Sequence, residues 1–146
     1  EALLLINDRV EVALAVGADG VHLGQEDLHY TEARRLLGPD KIIGITVNTV
    51  AQALEAARLG ADYLGVSPIF ATRTKPDAGQ PAGLQLLREI RRLVNLPLIA
   101  IGGITLDNAP EVIAAGADGV CAISAVVTRP DVRTAIGQFQ SLFKAR

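Results

Sequence analysis

The 146-residue sequence has no tryptophan, no methionine and one cysteine, and only 3% of its residues are aromatic. The single cysteine, Cys121, excludes a disulfide framework and fits a reducing compartment, so we expect a cytoplasmic protein. The sequence contains fourteen lysines and arginines and sixteen acidic residues, and its basic residues form no stripe. This charge distribution gives no reason to expect nucleic acid as a partner. No apolar run is long enough to span a membrane and no signal peptide is visible, so we expect no membrane partner.

What the sequence does contain is aliphatic: 49% of its residues are hydrophobic, mostly Ala, Val, Ile and Leu. That is enough for one domain, residues 1–146, with a substantial core. Short continuous aliphatic runs predict strands buried on both faces, as in parallel sheets, at Leu3–Ile6, Gly20–Leu23, Ile42–Thr46, Tyr63–Val66, Leu98–Ile101 and Gly119–Ile123. Helical runs lie between them, at Arg9–Ala15, Thr31–Leu37, Val50–Leu59, Leu84–Leu93, Asp107–Ala115 and Asp131–Lys144. Thr49, and Thr105 or Asp107, are candidate helix N-caps.

The tripeptide Gly-Ala-Asp occurs three times, at 17–19, 60–62 and 116–118. Each copy follows a predicted helix and precedes a predicted strand, which is typical of a turn with glycine just past the helix end. Asp19, Asp62 and Asp118 therefore fall at the amino ends of strands. In a barrel that end serves stability, so we do not count them as site residues.

Six βα units in a row leave two architectures, a doubly wound open sheet or a (β/α)8 TIM barrel. The absence of Gly-x-Gly-x-x-Gly after any strand weakens the dinucleotide-binding option. Gly102-Gly103 and Ser124 follow the last two strands, where barrels commonly bind phosphate, and they favour the barrel. Counting back from these strands predicts an incomplete barrel domain that holds strands three to eight. The apolar run directly after Glu1 agrees with the first two βα units being missing.

Polar residues follow five of the six predicted strands and Gly102-Gly103 follows the other, so in a barrel these residues share one end of the sheet. Asp8 and Asp27 could hold a hard cation such as Mg²⁺, and Lys75 adds a point charge for a diphosphate. The long loop from Gly65 to Gly79 carries hydroxyl and cationic donors suited to a phosphorylated ligand. Simpler interpretations stay open. Asn7 and Asp8 could cap a helix, the loop could be solvated surface, His22 could be a packing residue and Cys121 a core residue.

Five segments together resemble the thiamine phosphate synthase family, over the whole length of the chain and in order. The segments are Leu5-Ile-Asn-Asp-Arg9, Gly20-Val-His-Leu-Gly-Gln-Glu-Asp27, Gly44-Ile-Thr-Val-Asn-Thr49, Gly65-Val-Ser-Pro-Ile-Phe-Ala-Thr-Arg-Thr-Lys75 and Ala100-Ile-Gly-Gly-Ile104. The resemblance implies a (β/α)8 barrel. It also implies a Mg²⁺-dependent transferase that joins hydroxymethylpyrimidine diphosphate to a thiazole phosphate, giving thiamine phosphate and pyrophosphate.

The resemblance also implies roles for individual residues. Asp8 and Asp27 would ligate Mg²⁺, and Asn7 would contact the pyrimidine diphosphate. Lys75 would contact the diphosphate and act in catalysis, together with Thr46, where the family usually has serine. The thiazole phosphate would be bound by Thr72, Arg73, Thr74, Gly103, Ile123 and Ser124.

The sequence departs from the family at two places. The family carries a Gln-x-Arg-x-Lys-like segment after strand two that grips the diphosphate, and no such segment is present. Asn48 stands where the family often has histidine.

Three other functions and the oligomeric state stay open. A thiazole tautomerase shares the barrel but would not need both aspartates with Lys75. A truncated, non-catalytic phosphate-binding remnant is the second alternative. A sugar-phosphate isomerase would need an acid/base pair, which the sequence does not show. Whether the chain forms a homo-oligomer cannot be derived from its sequence.

Overall fold

The computed structural model describes residues 2–72, 74 and 79–144. Strands and helices alternate along this part of the chain, with one short extra helix before the last one. The elements are β1 Leu5–Asn7, α1 Val10–Ala15, β2 Gly20–Leu23, α2 Tyr30–Leu37, β3 Ile42–Val47, α3 Val50–Leu59, β4 Tyr63–Val66, α4 Gly83–Leu93, β5 Leu98–Ile101, α5 Ala109–Ala114, β6 Gly119–Cys121, α6 Ser124–Val127 and α7 Val132–Lys144.

The six strands form one parallel sheet whose spatial order, β1 to β6, is the order of the sequence. A doubly wound sheet reverses its strand order at a switch point, and this sheet does not, so that alternative is excluded. Right-handed crossovers between parallel neighbours place all connecting helices on one face of the sheet. The α/β class and the barrel-type winding predicted from the sequence are confirmed.

The two faces of the sheet differ in composition because side chains alternate along each strand. The helix-covered face is aliphatic: Leu23, Ile43, Leu64 and Leu98 are each fully buried on it. Burial of one such side chain contributes ~1.5–3 kcal/mol to folding. The opposite, inner face is mixed. It carries the polar side chains, the cysteine and the glycines of the strands, together with four aliphatic residues: Asn7, Gly20, His22, Gly44, Thr46, Tyr63, Gly65, Gly119 and Cys121, with Leu5, Ile42, Ile99 and Ile101. Polar groups within the sheet are therefore confined to the inner face.

Most predicted boundaries lie within one or two residues of the observed ones. The strand predicted at Leu3–Ile6 is found at Leu5–Asn7, and the last strand ends at Cys121 instead of Ile123. Thr49 caps α3 as expected, since its Oγ1 accepts the Gln52 N–H at 3.2 Å.

Thr105, one of the two predicted N-caps of α5, makes a capping contact one turn before the helix: its Oγ1 accepts the Asn108 N–H at 3.4 Å. The regular helix begins only at Ala109, and Asn108 at its N-cap position makes no side-chain cap hydrogen bond. The Thr105 N–H donates to Oδ1 of Asn108 at 2.8 Å, and the Asn108 amide donates to the Gly103 carbonyl at 2.9 Å. These contacts hold residues 103–108 as a turn ahead of the helix.

The Gly-Ala-Asp repeat fastens the amino end of the sheet. Each aspartate accepts a backbone N–H from the neighbouring strand segment: Asp19 from Leu4 at 2.8 Å, Asp62 from Ile43 at 2.7 Å, and Asp118 from Leu98 at 2.9 Å. The preceding glycines have left-handed φ angles of 66°, 93° and 111°. The repeat is the structural turn that the sequence predicts.

No helix in the described residues is long and apolar enough to cross a membrane.

Candidate active site

Polar groups gather where the strands end because the carboxyl ends of parallel strands share one edge of the sheet. Asn7 is the last residue of β1 and Asp8 follows it. Thr46 lies on the inner face near the end of β3. Two loops, after β4 and β5, and the start of α6 complete this edge.

A cavity of about 290 Å³ opens between the ends of β4, β5 and β6. Five residues expected at the phosphate site line it: Thr72, Thr74, Gly103, Ile123 and Ser124. The lining also includes Gly102, which the sequence placed beside Gly103 at the phosphate end, and five residues that we did not predict as site residues: Ser67, Ile101, Ile104, Cys121 and Ala122. The period-two pattern of β5 and β6, which puts Ile101 and Cys121 on the inner face, is the signal that could have identified two of them.

The loop after β4 is fastened to the end of β5 by backbone hydrogen bonds. The Ile69 N–H donates to the Ile101 carbonyl at 2.9 Å, and the Phe70 N–H donates to the Gly102 carbonyl at 3.1 Å. The chain returns to the same place, because the Ala82 N–H donates to the Pro68 carbonyl at 2.8 Å. The base of the loop is thus closed at both ends.

Gly102 and Gly103 are required by this packing. Their φ angles are 100° and 63°, which side-chain-bearing residues rarely adopt. A Cβ on Gly103 would lie 2.6 Å from the Ala71 carbonyl oxygen, and one on Gly102 would lie 2.7 Å from Cβ of Pro68. The sequence suggested that the glycines give an anion access to the backbone. The structure shows that they also let the β4 loop approach β5.

The two described threonines of this loop differ in exposure. Thr72 is half-buried and Thr74 is exposed, and the Thr74 N–H donates to Oγ1 of Thr72 at 3.2 Å. The two predicted cationic groups, Arg73 and Lys75, lie outside the described residues. The placement of the threonines in the cavity lining agrees with a phosphate-binding loop.

The aspartate after β1 is not at the N-cap position of the helix that follows. The N-cap residue of α1 is Arg9, and it makes no side-chain cap hydrogen bond. Asp8 has a left-handed φ of 64°, and its N–H donates to the His22 carbonyl at 2.8 Å. This backbone bond holds Asp8 against the neighbouring strand, so the capping interpretation of Asn7 and Asp8 is not supported.

The aspartate after β2 is also held in a fixed orientation. Oδ2 of Asp27 accepts the Gly24 N–H at 2.6 Å, and the carboxylate has a second oxygen. The described residues contain no group of three or more His, Cys, Asp or Glu side chains placed to hold a metal ion. A site built on Asp8 and Asp27 therefore fits only a cation that takes one or two carboxylates and completes its shell with phosphate and water, as Mg²⁺ does.

A hydrogen-bonded cluster lies on the inner face beside the carboxylates. Nε2 of His22 lies 2.7 Å from Oγ1 of Thr46, and Nδ1 lies 2.7 Å from the Tyr63 hydroxyl. The imidazole and phenol rings stack with centroids 5.4 Å apart. Gln25 donates from Nε2 to the Thr46 carbonyl at 2.6 Å, which fixes the backbone at that position.

Two weakly acidic groups of the inner face stay protonated near neutral pH. Burial raises the pKa of Tyr63 to about 12. Burial also raises the pKa of the Cys121 thiol, which is half-buried at the cavity and not enclosed in the core. Neither group is suited to act as a base or nucleophile near neutrality.

The fold and the site together define a class: a singly wound parallel α/β protein with polar loops and two aspartates at the carboxyl ends of its strands. The chain belongs to the thiamine monophosphate synthase family, which matches residues 1–126. It is 55% identical over 139 residues to the thiamine-phosphate synthase of Chloroflexus aurantiacus, covering 95% of this chain and 64% of that protein. It is 58% identical over 134 residues to the thiamine-phosphate synthase of Methanoculleus marisnigri, covering 92% of this chain and 64% of that protein.

The structural comparison agrees with this assignment. The solved thiamine phosphate pyrophosphorylase from Pyrococcus furiosus superposes with a TM-score of 0.90 at 46% identity, covering 99% of this chain and 68% of that one. The six-stranded sheet is thus a curled half-barrel of the same kind. The chain spans 64% of the length of both curated relatives named above.

Proposed function

We propose that the site joins hydroxymethylpyrimidine diphosphate to a thiazole phosphate, forming thiamine phosphate and releasing pyrophosphate. The observation that carries this proposal is the cavity in which Thr72, Thr74, Gly103, Ile123 and Ser124 meet. The segments that supply them follow three different strands, yet they line one volume at the same edge as the two carboxylates. The similarity to a thiamine-phosphate synthase and to a thiamine phosphate pyrophosphorylase supports the same reaction.

We further propose that β1 to β6 correspond to strands three to eight of an eight-stranded barrel. The sequential parallel order and the share of the relatives' length that the chain spans support this correspondence. Under this proposal the inner face of the sheet is the barrel interior, and the protein acts in the cytoplasm.

The thiazole phosphate would bind in the cavity after β4, β5 and β6. Hydroxyls of Thr72, Thr74 and Ser124 can donate to phosphate oxygens. By the family resemblance, backbone amides at Gly103, Ile123 and Ser124 would also contact the phosphate. Arg73, by the family resemblance, would add charge to this end of the site.

The diphosphate would bind at the other side of the site, near β1 to β3. Asp8 and Asp27 would hold Mg²⁺, which when bound neutralises charge on the leaving diphosphate. Asn7 and the Thr46 hydroxyl would contact the pyrimidine diphosphate, and Lys75 would contact its phosphates.

The chemistry breaks the bond between the pyrimidine methylene carbon and the diphosphate oxygen. The aminopyrimidine ring stabilises positive charge on that carbon, and the thiazole nitrogen then donates its electron pair to form the new C–N bond. This nitrogen has no proton to lose, so the reaction requires no general base. The residues instead orient the two reactants and stabilise the leaving group, in agreement with the raised pKa values of Tyr63 and Cys121.

The test is an assay of pyrophosphate release with both substrates and Mg²⁺. We expect release only when both substrates are present. Lys75→Ala should lower its rate by about two to three orders of magnitude, the usual cost of losing one group that stabilises developing charge. Lys41 is the matched control, because it lies at the opposite end of the sheet and donates to the Ala18 carbonyl at 2.7 Å.

The result that would overturn the proposal is thiazole isomerisation without pyrophosphate release, which would indicate a tautomerase. Phosphate binding without any turnover would indicate a non-catalytic protein. Near-normal turnover of Lys75→Ala would remove Lys75 from the mechanism while leaving the reaction in place.

A further inference from the structure

The inner-face cluster of His22, Thr46 and Tyr63 has a hydrogen-bond order that can be deduced from its geometry. The imidazole lies between two hydroxyls, each 2.7 Å from one ring nitrogen. A neutral imidazole has one N–H donor and one acceptor nitrogen. The neutral ring therefore allows two arrangements. In one, the Thr46 hydroxyl donates its proton to Nε2 of His22. In the other, Oγ1 of Thr46 accepts a proton from Nε2.

The rings have little freedom to leave this arrangement. A Cβ on Gly65 would lie 2.8 Å from Cε1 of His22, and one on Gly44 would lie 2.0 Å from Cζ of Tyr63. The two glycines leave only the space that the rings fill. Stacking at 5.4 Å between the His22 and Tyr63 rings adds a further restraint.

The phenol determines which arrangement forms. Burial keeps Tyr63 protonated, with its pKa raised to about 12. Among residues 2–72, 74 and 79–144, the partner of its hydroxyl is Nδ1 of His22. A half-buried phenol with one partner donates its proton to that partner. Nδ1 of His22 is therefore the acceptor, and the imidazole proton lies on Nε2. The Nε2–H then donates to Oγ1 of Thr46, and the threonine proton is not used within the cluster.

We propose that His22 is a positioning residue that holds the Thr46 hydroxyl as a hydrogen-bond donor toward the leaving diphosphate. The Tyr63 hydroxyl sets the tautomer of His22, and the Gln25 bond to the Thr46 carbonyl fixes the backbone that carries the hydroxyl. This proposal rests on the proposed transferase function, because it assigns the anion that Thr46 faces. The network converts a freely rotating hydroxyl into a preorganised donor.

The kinetic test is a double-mutant cycle between His22 and Thr46 in the full chain. We expect His22→Leu to lower kcat about tenfold with the KM for thiazole phosphate unchanged. His22→Gln should recover most of the rate, because its amide can place an N–H near the position of Nε2. In a Thr46→Val background, His22→Leu should cause no further loss. Equal losses from His22→Leu in both backgrounds would overturn the positioning role.

The spectroscopic test needs neither turnover nor a folded variant of His22. The chain has two histidines, so ¹⁵N imidazole spectra contain two ring systems, and His29→Gln assigns them. His29 is an exposed residue at the start of α2, and we expect this variant to keep wild-type activity. We expect His22 to carry its proton on Nε2. Adding inorganic pyrophosphate with Mg²⁺ should shift that resonance in the wild type and not in Thr46→Val.

The outcomes separate this inference from the proposed function. A His22 ring protonated on Nδ1, or a pyrophosphate response that survives in Thr46→Val, would overturn the inference. Failure of the wild type to release pyrophosphate from the two substrates would overturn the proposed function. The tautomer and the pyrophosphate response would still decide whether the hydroxyl is a directed donor.

Discussion

Aspartates at the two ends of the sheet have opposite surroundings. At the amino end, carboxylates accept N–H groups of fully buried backbone: Asp62 accepts from Ile43, and Asp118 from Leu98. Arginines also pair with them, Arg34 with Asp62 at 2.7 Å and Arg91 with Asp118 at 2.8 Å.

At the carboxyl end, the aspartates follow the strands instead of joining them. Asp8 is exposed, with a left-handed backbone, and Asp27 accepts one local N–H within its own loop. The difference teaches that the same side chain ties neighbouring strands together at one end and lies in the loops, where the proposed metal would bind, at the other. Whether an aspartate accepts an N–H group of the neighbouring strand therefore depends on the end of the strand at which it lies.

The largest expected effect comes from the carboxyl-end pair. Asp8→Asn and Asp27→Asn should each lower Mg²⁺-dependent pyrophosphate release about 100-fold or more, by loss of charge at the leaving group. Stability should change by less than ~0.5 kcal/mol, because asparagine tolerates a left-handed backbone and keeps an oxygen to accept the Gly24 N–H. The measurement is a magnesium titration of the rate beside thermal unfolding, with exposed Asp40→Asn as control. Wild-type-like titrations for both variants would refute the metal assignment.

The amino-end pair should show the reverse pattern. Asp62→Ala and Asp118→Ala each leave a buried backbone N–H without its acceptor, and should cost ~1–3 kcal/mol of stability. The folded fraction should retain wild-type kcat. Urea unfolding measures the loss in free energy of unfolding. The kcat is measured at urea concentrations well below the unfolding midpoint. A variant of this pair that loses activity at unchanged stability would break the distinction between the two ends.

Asp19 should give a smaller loss than its two counterparts. It accepts the N–H of Leu4, a residue that is 51% exposed, whereas Ile43 and Leu98 are 0% exposed. Water can replace the lost acceptor at Leu4, so we expect Asp19→Ala to cost at most ~1 kcal/mol. The same urea experiment compares all three positions. A loss equal to that of Asp62→Ala would show that burial of the donor does not set the cost.

The last effect is confined to alkaline pH, at the residue after Asp62. The pKa of Tyr63 rises from 10.0 to about 12 on folding, so the folded state holds this proton more tightly than the unfolded state. Its contribution to stability is complete below pH 10 and is lost as the pH rises from 10 to about 12. Tyr63→Phe should flatten the pH dependence of unfolding across that range. An unchanged slope would assign the alkaline loss to other groups.

Much of the fold was predictable because aliphatic runs and turn residues are local signals. Gly20–Leu23, Tyr63–Val66 and Leu98–Ile101 were predicted with the bounds observed. The start of α5 lies two residues after the predicted one, because contacts of Asn108 with Thr105 and Gly103 form a turn ahead of the helix.

The site was predictable in part for a similar reason. Thr72, Gly103 and Ser124 follow strands, so their shared edge could be inferred from order alone. Ser67 was missed as a cavity residue, since its exposure depends on how neighbouring loops pack, whereas the alternation of β6 could have identified Cys121. The roles of the site residues, and of Mg²⁺, stay predictions.

The sequence by itself determined the alternation of strands and helices, the turns of the Gly-Ala-Asp repeat and the family. These depend on residue spacing and backbone preference, which act over a few residues. Only the tertiary structure decided that His22 lies between the hydroxyls of Thr46 and Tyr63, and that Gly44 and Gly65 leave room for the rings. Those contacts join residues up to 41 positions apart, and they follow from the register of neighbouring strands, which no local pattern specifies.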